Sequence, residues 1–238
     1  MSNINALELE KIYLSSTSSN QVNLWQILRF LKTFVMMTIS EEKDSLEQVG
    51  KFAEVLSTMP AQEFATNALK QDPDCAKLIK ERYIPADYDL DYLLTLEPDS
   101  LGYQFAQSMR EKNFDPNLHR GLTAETDGQY VELRLSQTHD IWHVITGFDV
   151  SEIDEIGLQA FHLTQFPYPF AIGVLASSFI ASIIWEPRAI PTMIDAIVKG
   201  LVMGKVAKQL FAQKWEEGWD KPLVQWQKEL NIQPFHTT

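Results

Sequence analysis

An all-α fold is the expectation for this 238-residue chain. Three observations predict it. Breakers are few, with 10 glycines and 11 prolines. Apolar positions recur at intervals of three and four residues nearly throughout, the spacing of a helix face. The period-two alternation of a half-buried strand is almost absent. A hydrophobic fraction of 45% against 22% charged is that of an ordinary globular protein. The length suits one large domain, read here as residues 1–238.

After a Ser-rich break at 15–20, a first helix is expected from about Val22 to Met37. Leu24, Ile27, Leu28, Leu31 and Val35 would form its inner face. Ser40 reads as the cap of a second helix reaching about Thr58, with Glu41 and Glu42 in the first turn, where the helix dipole favours acids. Its inward residues would be Phe52, Val55 and Leu56. Pro60 opens a third helix with Phe64, Ala65 and Leu69 apolar, and Asp72-Pro73 opens a short fourth through Lys80. Residues 83–100 read as turn-rich and acidic, followed by a helix from Leu101 to about Lys112. Asn113 to Tyr130 reads as a surface loop in which Gly121 and Gly128 suit turns.

The motif helix is expected from Leu133 to Gly147, with Gly147 as its C-terminal stop. Asp149 or Ser151 would cap the next helix, which runs to about Gln165, before Pro167. Ser151-Glu152-Ile153-Asp154 has the outline of a capping box. Tyr168 to Trp185 is nearly uncharged and at the lower edge of the ~20 apolar residues that span a bilayer. It lacks basic flanks, contains Ser177, Ser178 and Ser182, and reads as a buried helix. Its small residues Ala171, Gly173, Ala176 and Ala181 would permit close packing or line a cavity. Ile190 to Ala207 forms a further helix with Gly200 and Gly204 on one side, a sign of close packing. Phe211 onward, with Trp215, Trp219 and Trp226, reads as an amphipathic segment wrapping the body.

A net charge of −12 argues against nucleic acid, whose phosphates need clustered Lys and Arg. The single cysteine, Cys75, lies among acids that disfavour its thiolate and reads as inert. Met1 to Glu8 has no basic region leading into an apolar run, so a cytoplasmic location is expected.

The chemistry concentrates at Thr138-His139-Asp140-Ile141-Trp142-His143 and at Glu155. Residues i and i+4 share a helix face, so His139 and His143 can reach one metal ion. Asp140, about 100° around the helix, would add a carboxylate from the side or orient a ligand. Glu155 opens the helix that returns alongside. Mixed nitrogen and oxygen donors suit Zn2+, Fe2+, Mn2+ or Co2+ better than Ca2+, and Mg2+ if water completes its shell. His162, seven residues after Glu155, reads as an outer ligand, a proton donor or a hydrogen-bonded core histidine. Arg134 would hold an anionic group near the metal or pair with an acid. His119 and His236 read as surface residues. No phosphate loop, Ser-His-Asp signature or CxxC pattern is present.

At these residues the sequence resembles the Coq-four family of ubiquinone (coenzyme Q) biosynthesis. The family's hallmark is His-Asp-x-x-His followed by Glu after twelve residues, here His139-Asp140-Ile141-Trp142-His143 and Glu155. Leu101-Gly102, Phe166-Pro167, Trp215-Glu216, Trp219, Pro222-Leu223, Leu230 and Ile232 resemble further family pieces in order, so the likeness runs from about residue 90 onward. Three positions depart: Ser136 where the family usually has Arg, Gln159 where it has Lys, and His162 where it has an acid. The resemblance implies an all-α fold and a divalent-metal site, Zn2+ foremost, with His139, Asp140, His143 and Glu155 as ligands and catalytic centre. It implies a pocket for a polyprenylated (isoprenoid) quinone precursor, whose head-group C1 carboxyl would be replaced by hydroxyl. Other quinone-biosynthesis proteins, a second copy of the chain and a peripheral membrane surface are the implied partners. The alternative is a non-catalytic prenyl-lipid-binding or scaffold protein. A metal-dependent phosphohydrolase would need a further His and Asp from separate helices, which the sequence does not offer.

Overall fold

The computed structural model describes residues 22–40 and 42–234, the side chains of 42–46 excepted. The Ser-rich stretch, Glu41, the Glu42 side chain and His236 lie outside that set. The described residues form eleven α-helices: α1 (Leu24–Ile39), α2 (Glu42–Ser57), α3 (Pro60–Leu69), α4 (Pro73–Glu81), α5 (Leu90–Leu93), α6 (Leu101–Lys112), α7 (Asp127–Thr146), α8 (Glu152–Gln165), α9 (Pro169–Ile184), α10 (Ile190–Val206) and α11 (Leu223–Leu230). Short 3-10 turns at Pro187–Ala189 and Trp215–Gly218 complete the order, and no strand occurs among the described residues. One hydrophobic core runs from Ala65 to Ile232 and includes Trp142, Phe161 and Trp215.

The helix starts follow local chemistry. Asp72 accepts the backbone N–H groups of Asp74 and Cys75, and Ser100 accepts that of Tyr103. Between Asp149 and Ser151, it is Ser151 that caps α8. Its hydroxyl accepts the Asp154 N–H and donates to the Asp154 carboxylate. The short Asp side chain therefore closes the box on the Ser hydroxyl.

Three expectations need correction. The stretch read as a loop to Tyr130 ends earlier, because α7 begins at Asp127. Thr126 and Gln129 form a reciprocal capping box there, and Lys70 and Arg82 both pair with Asp127, pinning the helix start to α3 and α4. Gly128 lies in the first turn, where a Cβ would stand 3.3 Å from Gln62, so the glycine serves packing.

The apolar stripe of α1 faces outward. Leu24, Ile27, Leu28, Leu31 and Val35 are all exposed, while Phe30 and Phe34 turn toward Phe52. Helix α9 is likewise only half-buried. Its small residues Ala171, Gly173, Ser177 and Ser182 face in, and Ile172, Phe179, Ile180, Ile183 and Ile184 face out. The reason is spacing between backbones: a Cβ on Gly173 would sit 2.3 Å from Phe52. Shape complementarity turns the slim side inward at the expense of the apolar one. No described helix is long and apolar enough to cross a membrane.

The paired glycines behave as expected. A Cβ on Gly200 would fall 2.0 Å from the Gly157 carbonyl oxygen, and one on Gly204 would fall 1.8 Å from Thr164 Oγ1. This close approach clamps α10 against α8 and fixes α8 beneath α7. The C-terminal segment wraps the other side of α7. Trp215 and Trp226 are buried, and Trp219 stacks on Phe105 at 5.3 Å.

Candidate metal centre

His139 and His143 project one turn apart from α7, and Glu155 projects from the first turn of α8. The intervening turn at Gly147, with φ of +76°, reverses the chain and sets the two helices side by side. The Nε2 atoms of the two histidines lie 3.1 Å apart. Glu155 Oε2 lies 3.3 Å from His139 Nε2 and 3.1 Å from His143 Nε2.

These donors form a triangle whose size fits one ion. Bonds of about 2.0–2.1 Å place neighbouring donors about 3.3–3.4 Å apart in a tetrahedron and about 2.9–3.0 Å apart in an octahedron. The three observed separations fall between those values. His143 Nδ1 stands 3.0 Å from the Phe148 carbonyl oxygen, which can only accept. Nδ1 therefore carries the proton, and Nε2 turns a lone pair toward the triangle. Gln159 donates to the other oxygen of Glu155 at 2.6 Å and fixes the carboxylate. Among the described residues this trio is the group of donors close enough to hold a metal ion together.

The electrostatics also call for a cation. Burial works against a charge on His139, yet the Glu155 carboxylate overrides it and pushes the imidazole up to about 9. Burial would raise Glu155, but the His139 charge and the hydrogen bond from His139 hold it well below the usual carboxylate range. A proton thus occupies the place a metal would take. The side chains of His139 and Glu155 are 31% and 32% exposed, so one side of the triangle stays open to water or a ligand.

The remaining candidates fall in different places. Asp140 stands beside His139 outside the close trio. Arg134 leaves the site altogether. Its guanidinium makes a bidentate pair with Glu216 at 2.7 and 3.0 Å and donates to the Gln213 carbonyl at 2.9 Å. Five residues from His139 is about 140° around the helix, so Arg134 holds the C-terminal segment and offers no anion site at the triangle.

His162 is buried, stacked on Trp142 at 4.3 Å and 13°, with its ring 6.2 Å from His139. Burial, reinforced by the His139 charge, pushes it down to about 3, so it is neutral at physiological pH. Both its nitrogens lack a hydrogen-bond partner, as do Trp142 Nε1 and Gln159 Oε1. His119 is half-buried rather than on the surface. Burial lowers its affinity for a proton, and the charge of nearby Asp140 partly restores it. Only the acid beside His139 hinted at this. The loop around His119 has no period that would place it.

Comparison with known proteins finds relatives of one kind. The family profile described as "Coenzyme Q (ubiquinone) biosynthesis protein Coq4" matches residues 19–236. A mitochondrial ubiquinone biosynthesis protein COQ4 of Uncinocarpus reesii is 24% identical over 172 residues, 70% of this chain and 60% of the relative. The mitochondrial COQ4 homolog of Rattus norvegicus is 23% identical over 177 residues, 72% of this chain and 65% of the relative. The chain therefore matches somewhat under two thirds of these relatives' length. A crystal structure of a candidate ubiquinone biosynthesis protein from Nostoc punctiforme superposes with a TM-score of 0.79 at 28% identity. That likeness covers 86% of this chain and 97% of the other.

Proposed function

The chain belongs to the Coq4 family of coenzyme Q (ubiquinone) biosynthesis proteins, and from that premise we propose a metal-centred role on a prenylated quinone precursor. The observation that carries the reading is the donor triangle of two imidazoles and one carboxylate, sized for one ion and open on one side. His139, His143 and Glu155 would hold a divalent ion, Zn2+ foremost by donor type, with Asp140 adding its carboxylate from beside His139. Such an ion supplies Lewis acidity toward a carboxylate or phenol oxygen. The residues do the rest. His143 is locked in one tautomer by Phe148, Gln159 orients Glu155, and the buried Trp142–His162 stack excludes water behind the triangle. The reaction that fits is oxidative replacement of the head-group C1 carboxyl by hydroxyl: the ring–carboxyl bond breaks to release CO2, a new ring C–O bond forms, and a dissolved two-electron oxidant of the O2 class takes up the electrons, with residues 1–238 acting as one domain.

A second reading has its own support. The outward apolar faces of α1 and α9 suit a prenyl-lipid-binding protein that organises other quinone-biosynthesis proteins, or a second copy of itself, at a membrane surface. One experiment separates the two. The full chain is purified gently, its metal and co-purified lipid are identified by native mass spectrometry, and it is incubated in air with a prenylated hydroxybenzoate-type precursor. Metal-dependent loss of the C1 carboxyl, abolished by His143→Ala, is the expected result. A bound isoprenoid with no turnover under any metal would leave the scaffold reading in its place.

A further inference from the structure

Helix α7 carries more than the two histidines on its site face. Glu132, Ser136, His139 and His143 recur at intervals of four, three and four, which at 100° per residue keeps them within about 60° of one another. Glu132 therefore lies on the face of the triangle, two turns or about 10.5 Å upstream of His139. Between them Ser136 folds its hydroxyl back onto the Glu132 carbonyl oxygen at 3.0 Å, so the middle of the stripe bears only a short side chain.

Glu132 meets a fixed partner. The Tyr168 hydroxyl donates to its carboxylate, 2.9 Å from each oxygen. Tyr168 is buried, whereas Glu132 is half-buried and retains open acceptor capacity. His162 spans the distance back to the triangle. Its ring is 5.6 Å from Tyr168 and 6.2 Å from His139, and neither of its nitrogens is paired. Burial pushes the Glu132 carboxyl up to about 7 against the Tyr168 hydrogen bond. Near neutral pH it can thus donate to a carbonyl oxygen or accept from a hydroxyl.

We propose that Glu132 and Tyr168 form a second anchor for the ring ligand of this site, receiving a ring oxygen para to the one that faces the His139–His143–Glu155 triangle. The proposal rests on the reading of the triangle as a head-group site. A metal–oxygen bond, a ring with oxygens at opposite corners and one O–H···O hydrogen bond reach about 10 Å end to end, a length of the same order as the axial rise of about 10.5 Å from Glu132 to His139. The ligand class this selects is a hydroquinone or quinone ring. A monophenol of the same tail would lack the hydrogen bond to this carboxyl, a loss that corresponds to about ten- to a hundredfold in affinity.

The test uses the full chain reloaded with Co2+ and titrated anaerobically with two short-prenyl ligands, a hydroquinone and the monophenol lacking the para hydroxyl. Cobalt absorption reports approach to the metal, and the titration reports affinity. The hydroquinone is expected to bind at least tenfold tighter. Glu132→Leu should abolish that preference and leave monophenol affinity and the cobalt spectrum as they were. Tyr168→Phe, which keeps the ring, should cut the preference at least threefold and serves if the first variant does not fold. Equal affinities in the unmodified chain, with the cobalt spectrum moved by both ligands, would overturn the anchor and leave the head-group reading standing. So would a preference that survives either folded variant. If neither ligand binds, the head-group reading fails and the anchor with it.

Discussion

Helix α7 carries charge on two sides, and the two sides are treated in opposite ways. On one, Arg134 is buried among Glu216, the Gln213 carbonyl and the Tyr83 ring, with only Nε left over. Glu216 also accepts the Tyr88 hydroxyl at 2.7 Å. On the other, His139, His143 and Glu155 crowd three donors into one small triangle, and the buried polar atoms of Trp142, Gln159 and His162 around it go unpaired. Each unpaired buried group costs about 1–3 kcal/mol. A fold that satisfies one charged face so fully and leaves the facing one unsatisfied keeps the second for a ligand.

Breaking the satisfied side should have the largest effect. Arg134→Leu leaves the Glu216 carboxylate buried without its partner, and a loss of about 3–5 kcal/mol is expected in urea unfolding. Arg134→Leu with Glu216→Leu should lose distinctly less than the sum of the two single changes. Strict additivity would mean that the pair does not act as a unit.

The open side should respond to protons instead. His139, raised to about 9 in the metal-free chain, must release its proton for an ion to enter. Apparent metal affinity should therefore climb about tenfold per pH unit from 7 and level off above about 9. A flat profile across that window would show that His139 is no ligand. Gln159→Leu, which frees the far oxygen of Glu155, should weaken metal binding about tenfold in competition with a chromophoric chelator, while urea unfolding of the metal-free chain changes little.

The smallest effect concerns Glu132. Its folded carboxyl titrates near 7 and its unfolded one near 4.5. The folded state therefore holds more protons between those values, and stability falls as pH rises through the window. Glu132→Gln removes that penalty. It should raise stability by about 1 kcal/mol at pH 8, after allowing for the partial exposure of the group, and by almost nothing at pH 5. Equal gains at both pH values would show that Glu132 is not held in an environment that favours its neutral form.

Much of this was legible in the sequence, for physical reasons that also explain the rest. Local signals placed the helices: Pro60 and Asp72-Pro73 as starts, Asp149 or Ser151 as a cap, Gly147 as a C-terminal stop, and Gly200 and Gly204 as a packing stripe. Helix geometry alone brings His139 and His143 together as i and i+4, while Glu155 was suggested by the returning helix and by the family spacing. The direction of an apolar stripe did not follow. Leu24, Leu28 and Leu31 are as periodic as any core residues, yet α1 turns them outward and α9 buries its small side against Phe52, since packing shape decided the orientation. The fate of Arg134 was hidden in the same way. Its partner Glu216 lies 82 residues downstream, and no local pattern links the two. Glu132 drew no notice as an ordinary acid on a helix, and only the fold sets Tyr168 over it.

The central claim is that the triangle holds one divalent ion. Titrating Zn2+ by calorimetry into the metal-stripped full chain tests it most directly, with Glu155→Ala alongside. One equivalent per chain, with proton release below pH 9 and at least a hundredfold loss of affinity in the variant, is the predicted result. No binding, or binding that Glu155→Ala leaves unchanged, would contradict it.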